Sequence, residues 1–294
     1  SDGSLSIEEW RRENINVLIR EMHERIHASK PWVKFGVSPF GIWRNKSVDP
    51  LGSDTTGSQS YDIISADPRR WVKEEWVDYI APQLYWNVGL AAADYAVLAP
   101  WWNDVVTGTD VALYIGEASY KQTDGTFTNP RELAEHVEMT RGLPEIDGQI
   151  YYNATETKNG REAWMNELRN QYYANPALVP VISHMGGGAP DAPESFDVKS
   201  TDEGIRVRWS VAKDSEATNF AIYRVSGPDF DPAELENGAN LIMTLRAEGS
   251  LPNTGGRGRR HNVLLPAGVD GGYFTITALD RLWNESTPAP VRSI

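Results

Sequence analysis

Glu117 stands out on chemical grounds, because it follows the apolar run Leu113-Tyr114-Ile115 after a single glycine and so marks the end of a buried strand. Other apolar runs end in similar tips. Ser38-Pro39-Phe40-Gly41-Ile42-Trp43-Arg44-Asn45, Gln83-Leu84-Tyr85-Trp86-Asn87, Gly116-Glu117-Ala118-Ser119-Tyr120-Lys121 and Asn153-Ala154-Thr155-Glu156 mix aromatic rings, amides and charges. Flat rings suit the apolar faces of a sugar, while amides and charged groups suit its hydroxyls. The pattern predicts a neutral glycan as guest. Trp43, Tyr85 and Trp86 would stack on it with Tyr120 beside them, and Gln83, Arg44 and Asn153 would bond its hydroxyls. Glycoside hydrolysis ordinarily needs two carboxyl groups, and the candidates are Glu117 as acid/base and Glu156 as the second. Each residue also has a plainer reading. Trp43, Tyr85 and Trp86 would then plug a rim, Glu117 would pair with Arg44 or Lys121, and Glu156 would open an exposed loop.

A competing motif is His23-Glu24-Arg25-Ile26-His27, which matches the helical H-E-x-x-H zinc site. On a helical wheel Glu24 falls about 180° from the apolar stripe and so faces solvent. No third ligand follows at a metalloprotease spacing. A zinc peptidase is therefore the weakest of three functional readings, behind a hydrolase and a non-catalytic glycan-binding protein. No G-x-S-x-G elbow, phosphate loop or dinucleotide fingerprint occurs, and no cofactor is expected. Gly255-Gly256-Arg257-Gly258 with Arg259 and Arg260 reads as a basic loop.

The tips need a scaffold, and in parallel α/β folds ligands gather at the carboxyl ends of the strands. Ser6 and Glu9 form a capping box ahead of the stripe Ile15, Leu18, Ile19, Met22 and Ile26, which predicts a helix over 7–29. Strands are predicted at Val33–Ser38, Tyr79–Tyr85, Val111–Ile115 and Gln149–Asn153. Helices are predicted after Asp67-Pro68, over 90–106, after Asn129-Pro130 and over 160–173. Strand starts roughly 30 to 45 residues apart fit four βα units, either part of a (β/α) barrel or a small open sheet.

Near residue 188 the flexible run Met185-Gly186-Gly187-Gly188-Ala189-Pro190 predicts a boundary between domains 1–187 and 188–294. Beyond it, Phe196-Asp197-Val198, Ile205–Trp209, Phe220–Arg224 and Tyr273–Ala278 alternate with period two, the pattern of an antiparallel sandwich. Residues 227–260 read as loops. With 294 residues, 40% hydrophobic and 23% charged, two ordinary cores are expected. The net charge of −13 argues against nucleic acid and anionic lipid as partners, and no apolar run is long enough to span a membrane. Without cysteine there is no disulfide framework and no thiol nucleophile.

Several long motifs, in order, resemble the bacterial glycosyl-hydrolase-like ten family. They are Trp10-Arg11-Arg12-Glu13-Asn14-Ile15-Asn16, Lys30-Pro31-Trp32 through Trp43-Arg44, Pro82-Gln83-Leu84-Tyr85-Trp86 and Leu113 through Lys121. The resemblance covers residues 6 to about 183 and implies a (β/α) TIM-type barrel from cell-envelope proteins associated with cleaving peptidoglycan glycan strands. It implies a secreted or envelope location. Family barrels also carry an acidic segment at their fourth strand that is missing here, so the resemblance implies the C-terminal four βα units, closed by a partner fragment or a second chain. The C-terminal part is similar to a fibronectin type III domain, through Trp209, Tyr223-Arg224 and Tyr273 to Ser286.

Overall fold

The computed structural model describes residues 3–159, 163–247 and 259–294. The chain divides into two compact units, Ser1–Ala174 with Ile182–Met185, and Asn175–Val181 with Gly186–Ile294.

The first unit is mixed α/β. It opens with α1 (Ile7–Ser29), whose capping box is formed in full by Ser6 and Glu9. β1 (Gly36–Val37), α2 (Ser60–Ile63), α3 (Pro68–Lys73), β2 (Tyr79–Ile80), α4 (Tyr95–Val106), β3 (Ala112–Ala118), α5 (Ser119–Thr123), α6 (Glu132–Thr140), β4 (Ile146–Tyr152), α7 (Ala154–Asn159) and α8 (Ala163–Glu167) follow. The last helix runs into a π-helical turn over Leu168–Tyr172, and a 3-10 turn covers Ser183–Met185. The four strands form one parallel sheet in the order β1-β2-β3-β4.

Two strands are shorter than the apolar runs suggest. Pro39 and Pro82 cannot donate to the ladder, so β1 and β2 stop at two residues each and continue only as isolated bridges from Phe40 to Gln83 and from Gln83 to Gly116. β3 is longer than predicted and runs through Glu117. The helix expected over 90–106 begins at Tyr95, where the Asp94 carboxylate caps the Ala96 amide. In place of one final helix over 160–173 there are α7, α8 and the π-turn, with residues 160–162 outside the described ones.

One face of this sheet carries the core. Leu113 and Ile115 on β3 and Ile80 on β2 pack with Tyr95, Leu98, Trp102 and Val105 of α4. Strand alternation turns Tyr114, Gly116 and Ala118 to the opposite face, beside Gly148, Ile150 and Tyr152 of β4. There Ile150 is 44% and Tyr152 57% exposed.

The second unit consists of β5 (Glu194–Thr201), β6 (Gly204–Val211), β7 (Asn219–Val225), β8 (Leu241–Arg246), β9 (Arg259–Leu264), β10 (Tyr273–Leu279) and β11 (Arg292–Ser293). They form two antiparallel sheets, β5-β6-β9 and β11-β10-β7-β8. Phe196, Val198, Val207 and Trp209 from one sheet and Phe220, Ile222, Phe274 and Ile276 from the other share a single core. The stretch expected as loops over 227–260 holds β8, which pairs with β7 through Leu241 to Arg246. Of the expected basic loop, Gly255 to Gly258 lie outside the described residues, and Arg259 and Arg260 begin β9.

Candidate functional site

Glu117 is not a carboxylate of the lip. It lies two residues beyond Ile115, so the pleat turns it to the helix-bearing face, where it is 1% exposed. The Tyr95 hydroxyl of α4 donates to Glu117 Oε1 at 2.7 Å, and His136 Nδ1 of α6 lies 2.9 Å from Oε2. The partners expected from the sequence, Arg44 and Lys121, are elsewhere. His136 Nε2 in turn reaches Glu132 Oε1 at 3.3 Å, and the Val88 amide donates to the same oxygen at 2.6 Å. The Tyr95 and His136 rings stack with centroids 3.5 Å apart. Burial works to lower the pKa of His136, and the Glu117 and Glu132 carboxylates outweigh it, so the imidazole is pushed up to about 9. An imidazolium clasped by two carboxylates is a clamp between β3 and α6.

Trp43 is likewise taken out of the expected platform. It is 5% exposed, its Nε1 donates to Asp67 Oδ1 at 2.8 Å, Trp101 stacks against its ring at 6.2 Å, and the Arg69 guanidinium lies 5.4 Å from its centroid. Arg44 is committed to Asp49 at 3.0 Å and, through two nitrogens, to Asp62 at 3.2 Å. Gln83 Nε2 donates to the Ser38 carbonyl at 3.0 Å. Trp86 is half-buried, packs against the core, and closes on Gly41, where a Cβ would meet the ring at 2.8 Å.

What does converge is a cluster of three tyrosines at the carboxyl ends of β2, β3 and β4. Tyr85 stacks with Tyr152 at 6.3 Å and 29° and meets Tyr120 edge-on at 6.4 Å, and Tyr120 meets Tyr152 edge-on at 6.2 Å. Lys121 Nζ donates to the Tyr85 carbonyl at 2.7 Å and braces the loop after β2. Burial first, then the neighbouring Tyr120 and Tyr152, push the Tyr85 phenol up to about 12, so it remains a hydroxyl donor at neutral pH. Asn153 is the next residue, and its Oδ1 accepts from the Thr155 and Glu156 amides at 2.9 and 3.4 Å. Glu156 is half-buried on α7. Tyr152 has no place in the sequence-based set. Its signal was present, because it shares a strand face with Ile150 and immediately precedes Asn153.

Two further groups among the described residues have chemical potential. The histidines of the H-E-x-x-H segment gather at the opposite, amino-terminal end of the sheet around Asp78, while Glu24 stays 64% exposed, so the arrangement lacks a base for peptide hydrolysis. The second unit has a cleft of about 430 Å³ lined by Thr218, Asn219, Thr244, Arg246, Arg281 and Trp283.

The first unit is thus of the mixed α/β class, with a parallel sheet and an aromatic lip at its strand ends. Residues 3–131 match the family model described as Glycosyl hydrolase-like 10. The chain is 34% identical over 297 residues to Glycosyl hydrolase YngK of Bacillus subtilis, covering 97% of this chain and 54% of the relative. It is 44% identical over 171 residues to Glycosyl hydrolase DigH of Escherichia coli K12, covering 55% of this chain and 37% of the relative. The chain thus spans about half, or less, of the length of these relatives. Among solved structures, wild-type OgpA from Akkermansia muciniphila aligns over 86% of this chain and 73% of its own at a TM-score of 0.35 and 9% identity, a likeness too slight to carry an argument.

Proposed function

We propose that this chain is the glycan-gripping part of a glycosyl hydrolase-like protein, with the tyrosine lip as its sugar platform. The observation that carries this is the convergence of Tyr85, Tyr120 and Tyr152 at the carboxyl end of the parallel sheet, with Asn153 next in sequence and accepting from the Glu156 amide. The names of YngK and DigH support the class of chemistry. The substrate is a neutral, hydroxyl-rich polysaccharide of the bacterial envelope or the extracellular space, with peptidoglycan glycan strands first among them. A secreted or envelope location goes with that substrate.

Hydrolysis asks for two carboxyl groups flanking the scissile bond. With Glu117 turned into the helix layer, Glu156, three residues beyond Asn153 after β4, is the remaining candidate carboxylate, and its role is acid/base. Its counterpart comes from polypeptide outside these 294 residues. The same reading gives the sheet its remaining strands: β1 and β4 end the order, and a (β/α) barrel would be closed by that additional polypeptide or by a second chain. The antiparallel unit, with its two sheets on one core, is proposed to be a fibronectin type III-like module.

The test is to measure binding and reducing-end release on one preparation with denuded glycan strands. Tyr85→Ala and Tyr152→Ala should each weaken binding about tenfold, in keeping with roughly 1 to 1.5 kcal/mol for an aromatic face. Binding that is indifferent to both substitutions would remove the platform. Hydrolysis that survives Glu156→Gln, in this chain alone or together with the polypeptide that completes the site, would remove the acid/base role. A monomeric mass by light scattering would dispose of the second chain.

A further inference from the structure

The amino-terminal end of the parallel sheet holds a cluster that the glycan reading does not use. Asp78, the residue before β2, is fully buried. Its Oδ2 accepts the Phe35 amide at 2.5 Å and lies 3.0 Å from His27 Nε2. Its Oδ1 lies 2.8 Å from His184 Nε2 and 3.5 Å from His23 Nε2. His23 and His27 come from the last turns of α1, one helical turn apart, with ring centroids 4.2 Å from each other. His184 comes from the 3-10 turn over Ser183–Met185, more than a hundred residues from Asp78 in sequence.

Hydrogen bonding alone leaves this cluster unfinished. His23 Nε2 is buried and has no hydrogen-bond partner among the described residues, although a carboxylate oxygen stands at 3.5 Å. A buried polar nitrogen without a partner calls for an explanation, and ligation of an ion is one. His23 Nε2, His184 Nε2 and an Asp78 oxygen all lie within 4.8 Å of one another. Two ligand atoms each about 2.0 Å from a tetrahedral zinc stand about 3.3 Å apart, a spacing that the 2.8 and 3.5 Å distances at Oδ1 bracket.

We propose that His23, His184 and Asp78 bind a divalent transition-metal ion of the zinc type, with His27 and the Phe35 amide holding the second carboxylate oxygen in place. Two imidazoles and a carboxylate suit such an ion better than calcium or magnesium, which take oxygen ligands. His27 then plays the outer part, fixing the carboxylate that the metal needs. The ion is structural. It pins the end of α1, the segment entering β2 and the 3-10 turn to each other, and with Glu24 pointing away it has no base to activate water. This inference stands whether or not the tyrosine lip binds glycan.

The experiment uses the full 294-residue chain, stripped with a chelator and then titrated with zinc by calorimetry, with cobalt(II) absorption as a second probe. One ion per chain is expected, together with a rise in Tm of roughly 5 °C at saturating zinc that is reversed by chelator. His23→Ala and His184→Ala should weaken binding at least about 100-fold, and His27→Gln about 10- to 100-fold. Glu24→Gln should change nothing. Absence of stoichiometric uptake, or equal uptake by the His184→Ala protein, would overturn the site. Loss of uptake in Glu24→Gln would overturn the assignment of ligands. Should the histidine variants fail to fold, the wild-type protein still decides: zinc must shield His23 and His184 from diethyl pyrocarbonate, and equal modification with and without zinc rejects the proposal.

Discussion

At the scale of single residues, Glu117 shows how one carboxylate can change its meaning once its neighbours are known. It accepts from Tyr95 and pairs with His136, so its removal should act on stability before it acts on anything else. Glu117→Ala leaves an imidazolium buried with only Glu132 beside it, and a loss of about 3 to 5 kcal/mol is expected in urea denaturation of the first unit. Tyr95→Phe removes only the hydroxyl donor and should cost about 1 to 3 kcal/mol. The same clamp makes a pH prediction. Because the folded-state pKa of His136 is raised from 6.5 to about 9, its contribution is fully present below about pH 6.5 and is lost as pH rises through about 9. Stability of the first unit should therefore fall across that window by up to about 3 kcal/mol, and His136→Gln should flatten the dependence. A curve rising between pH 6.5 and 9 in the wild-type protein would contradict the clamp. The sequence contained part of this: Leu113, Ile115 and Glu117 share one parity, so burial of the first two already turned the third inward. Tyr95 and His136 as its partners had no local signal.

The elements repeat the lesson at larger size. Capping chemistry was legible: Ser6 and Glu9 start α1, and Asp67 with Pro68 starts α3, because these contacts are made within four residues of chain. Strand length was less so. The apolar runs before Pro39 and Pro82 promise more ladder than β1 and β2 can form, since neither proline has an amide hydrogen to give. β8 was hidden for a different reason. Leu241 to Leu245 lies in a Gly- and Asn-rich stretch whose composition speaks for loops, and only its pairing with β7 makes it a strand. Close approach also governs β1, where a Cβ on Gly36 would run into the Tyr79 ring of β2. Gly36→Ala should therefore destabilise the first unit by about 1 to 3 kcal/mol in chemical denaturation, and a neutral result would show that Tyr79 can step aside.

For the whole molecule, the division into two units is the governing fact. Residues 175–181 belong to the second unit, and Leu178 among them packs with Tyr223, Leu241 and Leu279. A fragment starting at residue 175 should accordingly be more stable than one starting at 188 by about 1 to 2 kcal/mol, the worth of a partly buried leucine. Equal urea midpoints for the two fragments would deny that packing. Sequence alone determined that the chain has a parallel α/β part followed by an antiparallel part, that it carries a strong negative charge, and that aromatic residues crowd the ends of the strands. These follow from composition and from periods of 2 and 3.6 residues, which any stretch of chain displays by itself. Tertiary structure decided which side chains meet. It separated Trp43 and Glu117 from the lip, added Tyr152 to Tyr85 and Tyr120, and brought His184 to Asp78 and His23. Such encounters depend on register and on packing between segments remote in sequence, and no local pattern encodes them.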